Sequence, residues 1–194
     1  MKQIIISTDN KNKVREISHL LSDLDVKVLT KTEAGYGLIH PVEDASTLEG
    51  NARKKVEKIG KPKDIVLGDD TGLFVSALPG ELGVHSARYA GESANDEANR
   101  KKLLSAMKDK ADRSAYFKTV IVIKYKNRLY SVTGVCKGEI IDDLKGDNGF
   151  GYDPMFKPLG SDKTFAEMSE QEKNLISHRA KALVKAKALL KELI

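Results

Sequence analysis

The chain has 194 residues, with 33 Lys and Arg against 28 Asp and Glu and a formal net charge of +5. That length builds one good-sized domain or two closely joined lobes, and a hydrophobic share of 40% beside a charged share of 31% reads as soluble and globular. A single cysteine, Cys136, excludes an internal disulfide and any cysteine-rich zinc site, and no stretch is long and apolar enough to span a bilayer.

Residues 3–7 form a short apolar run that predicts a buried strand. It is too short for the core of a signal peptide, so the cytoplasm is the expected compartment. Residues 8–12 are polar and turn-prone, after which Val14, Ile17, Leu20 and Leu21 fall on one helical stripe. Residues 26–29 read as the next strand. Residues 30–46, broken by Gly35, Gly37 and Pro41, read as irregular chain. A helix is predicted over 47–58 with Thr47 as its N-cap. Residues 64–68 predict a strand that ends in Asp69-Asp70-Thr71-Gly72, and 73–78 resume as a second strand.

Residues 79–91 form a glycine-punctuated loop, and 94–107 a helix with Leu103, Leu104 and Met107 on its apolar side. The strongest strand signals are 114–126 and 128–141, which Asn127 joins into a long hairpin. Cys136 lies in this β-prone run and reads as a buried structural thiol. Residues 142–156 are a loop rich in glycine and aspartate. Ser177 can cap a final helix to about residue 193, with Leu183, Ala186, Leu190 and Leu193 facing inward. Strand–helix units combined with a long hairpin point to an α/β fold with a mixed sheet.

Several segments carry chemistry. Ser7-Thr8-Asp9-Asn10-Lys11-Asn12-Lys13 links the first strand to the first helix. Ligands of open α/β sheets sit at such carboxyl ends of strands, and helix-start N–H groups favour phosphate oxygens. Thr8 and Asn10 offer hydrogen bonds and Lys13 a positive charge; the plainer reading is an ordinary capped connection. Asp69-Asp70 closes an apolar strand. Neighbouring strand residues point to opposite faces, so the two carboxylates need not reach one metal. Mg²⁺ needs only one or two protein carboxylates when substrate phosphates complete its shell, and Glu43 is a candidate partner for Asp70. The plainer alternative is a solvated turn at Asp69-Asp70 and a surface loop at Glu43.

Gly149-Phe150-Gly151-Tyr152-Asp153-Pro154 and Lys173-Asn174-Leu175-Ile176-Ser177-His178-Arg179 together supply an aromatic face, a carboxylate, an ammonium, an imidazole and a guanidinium. A purine pocket needs this mixture. Phe150 offers a stacking face, or else tucks inward in a tight turn. His178 and Arg179 stand at the positive end of a helix dipole, a local conflict of the kind that marks functional sites; alternatively Arg179 points into water. His85, Ser86 and Arg88 read as loop-structuring residues.

In this ordered set of motifs, joined by Gly83-Val84-His85-Ser86-Ala87-Arg88-Tyr89, the chain resembles the inosine triphosphate pyrophosphatase family, the non-standard purine (dITP/XTP) pyrophosphatases. The likeness covers nearly the whole chain. It implies an α/β fold with an elongated mixed β-sheet flanked by helices, one domain over residues 1–194 made of two lobes, and an active-site cleft between them. It also implies a homodimer, a requirement for Mg²⁺, and hydrolysis of ITP, dITP and XTP to the monophosphate plus pyrophosphate. Carried over by motif, Thr8, Asp9, Asn10, Lys11, Asn12 and Lys13 hold phosphates. Asp70 is the proton acceptor, Lys13 its catalytic companion, and Asp70 and Glu43 the metal ligands. Thr71 takes a substrate-contacting hydroxyl position. Phe150, Gly151, Tyr152, Asp153, Lys173, His178 and Arg179 make the nucleotide pocket.

The chain departs from the family pattern with Thr71 where serine is usual, Gly68 where alanine is usual and Asn148 in place of a glycine. Two rival readings stand beside this one. One is a pyrophosphatase for other modified nucleotides; the other is a nucleotide-binding protein without turnover. The chain lacks the basic-aromatic stripe of single-strand binders, so neither nucleic acid nor membrane is an expected partner.

Overall fold

The computed structural model describes residues 2–91 and 95–193. Strand β1 (Lys2–Ile6) places Ile4, Ile5 and Ile6 in the interior. Asn10 then caps helix α1 (Lys11–Leu20), its side chain accepting from the N–H groups of Asn12 and Lys13. Strand β2 (Val26–Thr30) follows. Helix α2 (Leu48–Glu57) starts at Thr47, whose hydroxyl accepts from the Gly50 N–H as the sequence predicts. Both β2 and strand β3 (Ile65–Val75) run parallel to β1, with Ile4 opposite Val28 and Ile65. Parallel neighbours require crossovers, which α1 and α2 supply. β2 and β3 lie on opposite sides of β1, so right-handed crossovers put α1 and α2 on opposite faces of the sheet.

β3 corrects the sequence reading. Two strands broken at residues 69–72 were expected, but one strand of 11 residues runs through them. The glycines here mark close approach instead of turns. A Cβ on Gly68 would lie 2.8 Å from both the Ala52 carbonyl oxygen and Val56 Cγ1 of α2, and one on Gly72 would collide with the Gly83 backbone. Asp69 and Asp70 are both buried, which excludes the solvated turn.

Chain 83–88 forms a 3-10 turn (Gly83–Arg88), tied to helix α3 (Asp96–Met107) by Asn99, which bonds the Ala90 N–H and the Ala87 carbonyl. The sequence places the start of this helix at Ala94, outside the described residues. Strands β4 (Ser114–Tyr125) and β5 (Arg128–Ile140) form the long hairpin. Lys126 and Asn127 both take positive φ, 49° and 60°, the pattern of the type I′ turn that suits twisted strands. Two further elements escaped the sequence reading. Strand β6 (Phe156–Pro158) pairs antiparallel with β5, Ile140 opposite Phe156; three residues carry too little alternation to register. Helix α4 (Glu170–Ile176) begins with a capping box, Ser169 and Glu172 each bonding the other's backbone N–H. The last helix, α5 (His178–Leu193), buries Leu183, Ala186 and Leu190, with Leu193 packed partly against the same core.

The six strands form one mixed sheet in the order β2-β1-β3-β4-β5-β6. The backbone divides into two compact units. The first comprises the chain up to Asp70, Thr119–Gly134 and the chain from Ala180 on. Its core gathers Ile4, Ile17, Ile65, Ile121, Leu183 and Leu190. The second comprises Thr71–Lys118 and Val135–Arg179, around Leu73, Leu103, Phe117, Phe156 and Phe165. Cys136 is a buried thiol, not part of a disulfide, in that second core. Among the described residues, no helix is long and apolar enough to cross a membrane.

Candidate functional site

Two polar clusters account for the singled-out residues, one in each unit. In the first unit, β1 and β3 are adjacent while their crossovers leave in opposite directions. This is the switch point at which open α/β sheets hold ligands. Ile6 pairs with Leu67, so Asp69 and Asp70 continue just past the end of β1, beside the segment 7–13. Alternation sends their carboxylates to opposite faces, and each meets the helix on its own side. Asp69 Oδ2 lies 3.1 Å from Lys13 Nζ of α1. Asp70 Oδ1 lies 2.8 Å from Lys55 Nζ of α2, and Asp70 Oδ2 accepts from Asn51 Nδ2 at 3.3 Å.

Lys55 is the hub. Besides Asp70, its ammonium meets Glu43 Oε2 at 2.9 Å and donates to the Asp69 carbonyl at 3.1 Å. Burial alone would loosen its proton, but the carboxylates of Asp70, Glu43 and Asp69 outweigh burial and raise its affinity for that proton. Burial also pushes the Asp70 carboxyl above its ordinary value, against the pull of Lys55 and Lys13. The two directions are compatible: Lys55 answers to three carboxylates, whereas Asp70 answers first to its loss of water.

The loop after β1 is already well bonded. Asn10 Oδ1 occupies the N–H groups of Asn12 and Lys13 at 3.0 and 3.2 Å, and Thr8 Oγ1 accepts from the Asn10 N–H at 3.2 Å. Two helix-start N–H groups are thus turned toward the cap. The hydroxyl proton of Thr8 and the amide N–H₂ of Asn10 can still donate. Asp9 receives Lys31 Nζ at 2.7 Å and Thr32 Oγ1 at 3.2 Å, while Lys31 also holds the Ile39 carbonyl. Lys11 is exposed and Asn12 half-buried.

The sequence reading missed Lys55, Asn51 and Lys31. A signal for the first two exists: Leu48, Asn51, Ala52, Lys55 and Val56 form the buried stripe of α2, so an amide and an ammonium stand at positions whose spacing demands apolar residues.

Glu43 and Asp70 direct oxygens to within 2.9 Å of one point, now held by Lys55 Nζ. No group of three or more His, Cys, Asp or Glu able to hold a metal occurs among the described residues. A metal at this place would therefore complete its shell with water and substrate oxygens, as Mg²⁺ does.

In the second unit, Asp153 organises the glycine-rich loop. Its Oδ2 accepts from the Phe150 N–H at 2.9 Å and from Lys173 Nζ at 2.8 Å. Gly149 has φ 79° and passes so close to this carboxylate that a Cβ would collide with it. The Phe150 ring is half-buried, with Lys173 Nζ 5.1 Å and Arg179 Cζ 5.6 Å from its centroid, distances at which cations and ring faces attract. Arg179 is only 2% exposed, so it does not point into water; one of its nitrogens donates to Thr71 Oγ1 at 3.4 Å.

His178 is buried and stacks on Phe117 at 4.5 Å. The Tyr152 hydroxyl donates to the Ser86 carbonyl at 2.7 Å, and burial raises its pKa, so this side chain braces the loop as a neutral phenol. Ser86 joins Leu73 to Gly83 through its own hydroxyl. The cluster thus offers one aromatic face, buried cations and a satisfied carboxylate.

Comparison with known proteins gives a consistent result. The model of the Ham1 family matches residues 4–189. A dITP/XTP pyrophosphatase of Bacillus licheniformis is 45% identical over 194 residues, covering 98% of each chain. One from Flavobacterium johnsoniae is 44% identical, covering 93% of this chain and 94% of its own. Among solved structures, the Staphylococcus aureus Ham1 protein superposes with a TM-score of 0.89 at 38% identity and full coverage of both chains. A HAM1 protein from Coxiella burnetii gives 0.86 at 37%, covering 99% of this chain and 100% of its own.

Proposed function

The chain belongs to the Ham1 family, and we propose that its two polar clusters serve the two ends of one nucleotide. The protein is a nucleoside triphosphate pyrophosphatase that hydrolyses non-standard purine nucleoside triphosphates to the monophosphate and pyrophosphate. Assigning the steps to residues is the proposal. The observation that carries it is the cluster past the end of β1 of buried Asp69, Asp70 and Lys55 with half-buried Lys13. Two carboxylates and two ammonium groups are expensive to desolvate together, and a fold gains little stability from them.

The reaction adds water to the α-phosphorus and breaks its bond to the bridging oxygen of the leaving pyrophosphate. Asp70 orients that water and accepts its proton. A carboxyl raised by burial is a better base than a free aspartate at neutral pH. Asp69 holds Lys13 in place, and Lys13 stabilises the negative charge gathering on the phosphate oxygens. Thr8, Asp9, Asn10, Lys11 and Asn12 complete the loop that receives the triphosphate. Glu43 and Asp70 are the residues that would hold Mg²⁺, and the ion would supply a positive charge that favours departure of the pyrophosphate.

At the other end, Phe150 stacks on the base and Arg179 and Lys173 supply donors, with His178 and Thr71 beside them. Hypoxanthine and xanthine present a 6-oxo acceptor to such donors. Adenine presents an amino group and leaves them unpaired, which is how a polar site rejects a near relative. A homodimer working in the cytoplasm completes the proposal, and the mass of the enzyme in solution checks its assembly.

The deciding assay measures phosphate products from ITP with and without Mg²⁺. Wild type is expected to release pyrophosphate only with the metal. Asp70→Asn and Lys13→Ala should each lose about 100-fold or more in kcat. Stepwise release of orthophosphate, or full activity in Asp70→Asn, would sink these assignments.

A further inference from the structure

Helix α3 carries Asp96 and Arg100 one turn apart, on one side of the helix, and both hold the same residue of the glycine-rich loop. Asp96 Oδ2 accepts from the Gly151 N–H at 2.8 Å, and Arg100 Nη1 donates to the Gly151 carbonyl at 2.8 Å. Gly151 has φ 60°, and a Cβ there would meet nothing within 4 Å. Its conformation, not lack of room, therefore requires glycine. Such a residue is intrinsically loose, and two charge-assisted bonds fix both polar atoms of its backbone.

The residue before it is held from another direction, the Phe150 N–H by Asp153. Phe150 thus stands between two anchors. The platform behind the clamp is rigid, because α3 buries Leu103 and Met107 completely and Asn99 ties it to the chain before it.

We propose that Asp96 and Arg100 are positioning residues for the purine base: by fixing Gly151 they set the pose of the Phe150 ring. This rests on the reading of Phe150 as the base platform. Neither residue needs to touch the nucleotide. Both act through the backbone, so their loss weakens base binding while the hydrolytic groups of the other cluster stay intact.

The test combines kinetics with amide exchange. In Asp96→Ala the KM for ITP should rise about tenfold, in line with losing one charged hydrogen bond, with kcat changed less than about threefold. Asp96→Asn keeps an acceptor oxygen and should recover most of the KM. In the ligand-free enzyme, NMR should find hydrogen exchange at the Gly151 amide accelerated in Asp96→Ala, with the amides of Leu103 and Met107 as slow as in wild type. An unchanged KM, a fall in kcat alone, or undiminished protection at Gly151 would overturn the clamp. A wild-type enzyme inert toward ITP would instead be a failure of the substrate assignment, and the exchange arm would still judge the clamp.

Discussion

Lys55 shows what one residue does in this fold. It is buried, and it is the ammonium that Asp70 and Glu43 share. Removing one partner of a buried ion pair leaves an uncompensated charge and typically costs about 3–5 kcal/mol; Lys55→Met should cost that much near neutral pH. A lysine held above its ordinary 10.5 contributes stability that is present below 10.5 and lost only as pH climbs through the folded value. Wild type therefore keeps this contribution across the neutral range. Asp70 runs the other way. Its folded pKa lies above 3.8, so its ionisation costs the fold stability as pH rises through that folded value. Without Lys55 that cost stands alone. Urea denaturation between about pH 4 and pH 8 should find the deficit of Lys55→Met widening with pH, and a deficit flat across that range would refute this account. The sequence hid Lys55 because α2 also carries Arg53 and Lys54, with Lys58 just past its end, and one more lysine reads as part of a solvated face. Arg179 was easier to notice, because a cation just past a helix start contradicts the dipole and needs a reason.

Elements were legible where local chemistry decides them. Thr47 caps its helix as read from the sequence, and the hairpin expected around Asn127 is closed by an I′ turn that also takes in Lys126; the caps at Asn10 and Asn95 went unread. β3 was misread because its glycines answer to tertiary packing. Gly68 lets α2 lie against the strand, and that approach brings Lys55 and Asn51 within reach of Asp70. Alanine is the usual residue of the resembling family at this position, yet here its Cβ would press on the Ala52 carbonyl and Val56 at 2.8 Å. Gly68→Ala should therefore destabilise the protein by about 1–3 kcal/mol, the usual penalty for overpacking. It should also lower kcat by pushing Lys55 and Asn51 off Asp70. A thermal melt and an ITP assay on one sample check both effects; unchanged stability would mean that α2 shifts without cost.

At the scale of the molecule, Lys13, Lys55, Asp69 and Asp70 belong to one compact unit and Phe150, Lys173 and Arg179 to the other, so the groups proposed for hydrolysis and those proposed for base recognition belong to separately packed cores. That division makes the two functions separable by mutation. Phe150 supplies a ring face flanked by Lys173 and Arg179, and stacking of a base on an aromatic ring is worth about 1–3 kcal/mol. Phe150→Ala should raise the KM for ITP by about 5- to 150-fold, the same energy written as a ratio. Lys13→Ala, which strips the charge proposed to act on the reacting phosphates, should fall mainly on kcat. Groups that share no partner combine additively, and groups that act as one unit do not. The double variant should therefore lose kcat/KM by close to the product of the two single losses, measured as initial rates of pyrophosphate release from ITP. A double variant no worse than Lys13→Ala alone would mean that the base end matters only when the phosphate end is already engaged, and the two clusters would have to be treated as one cooperative machine.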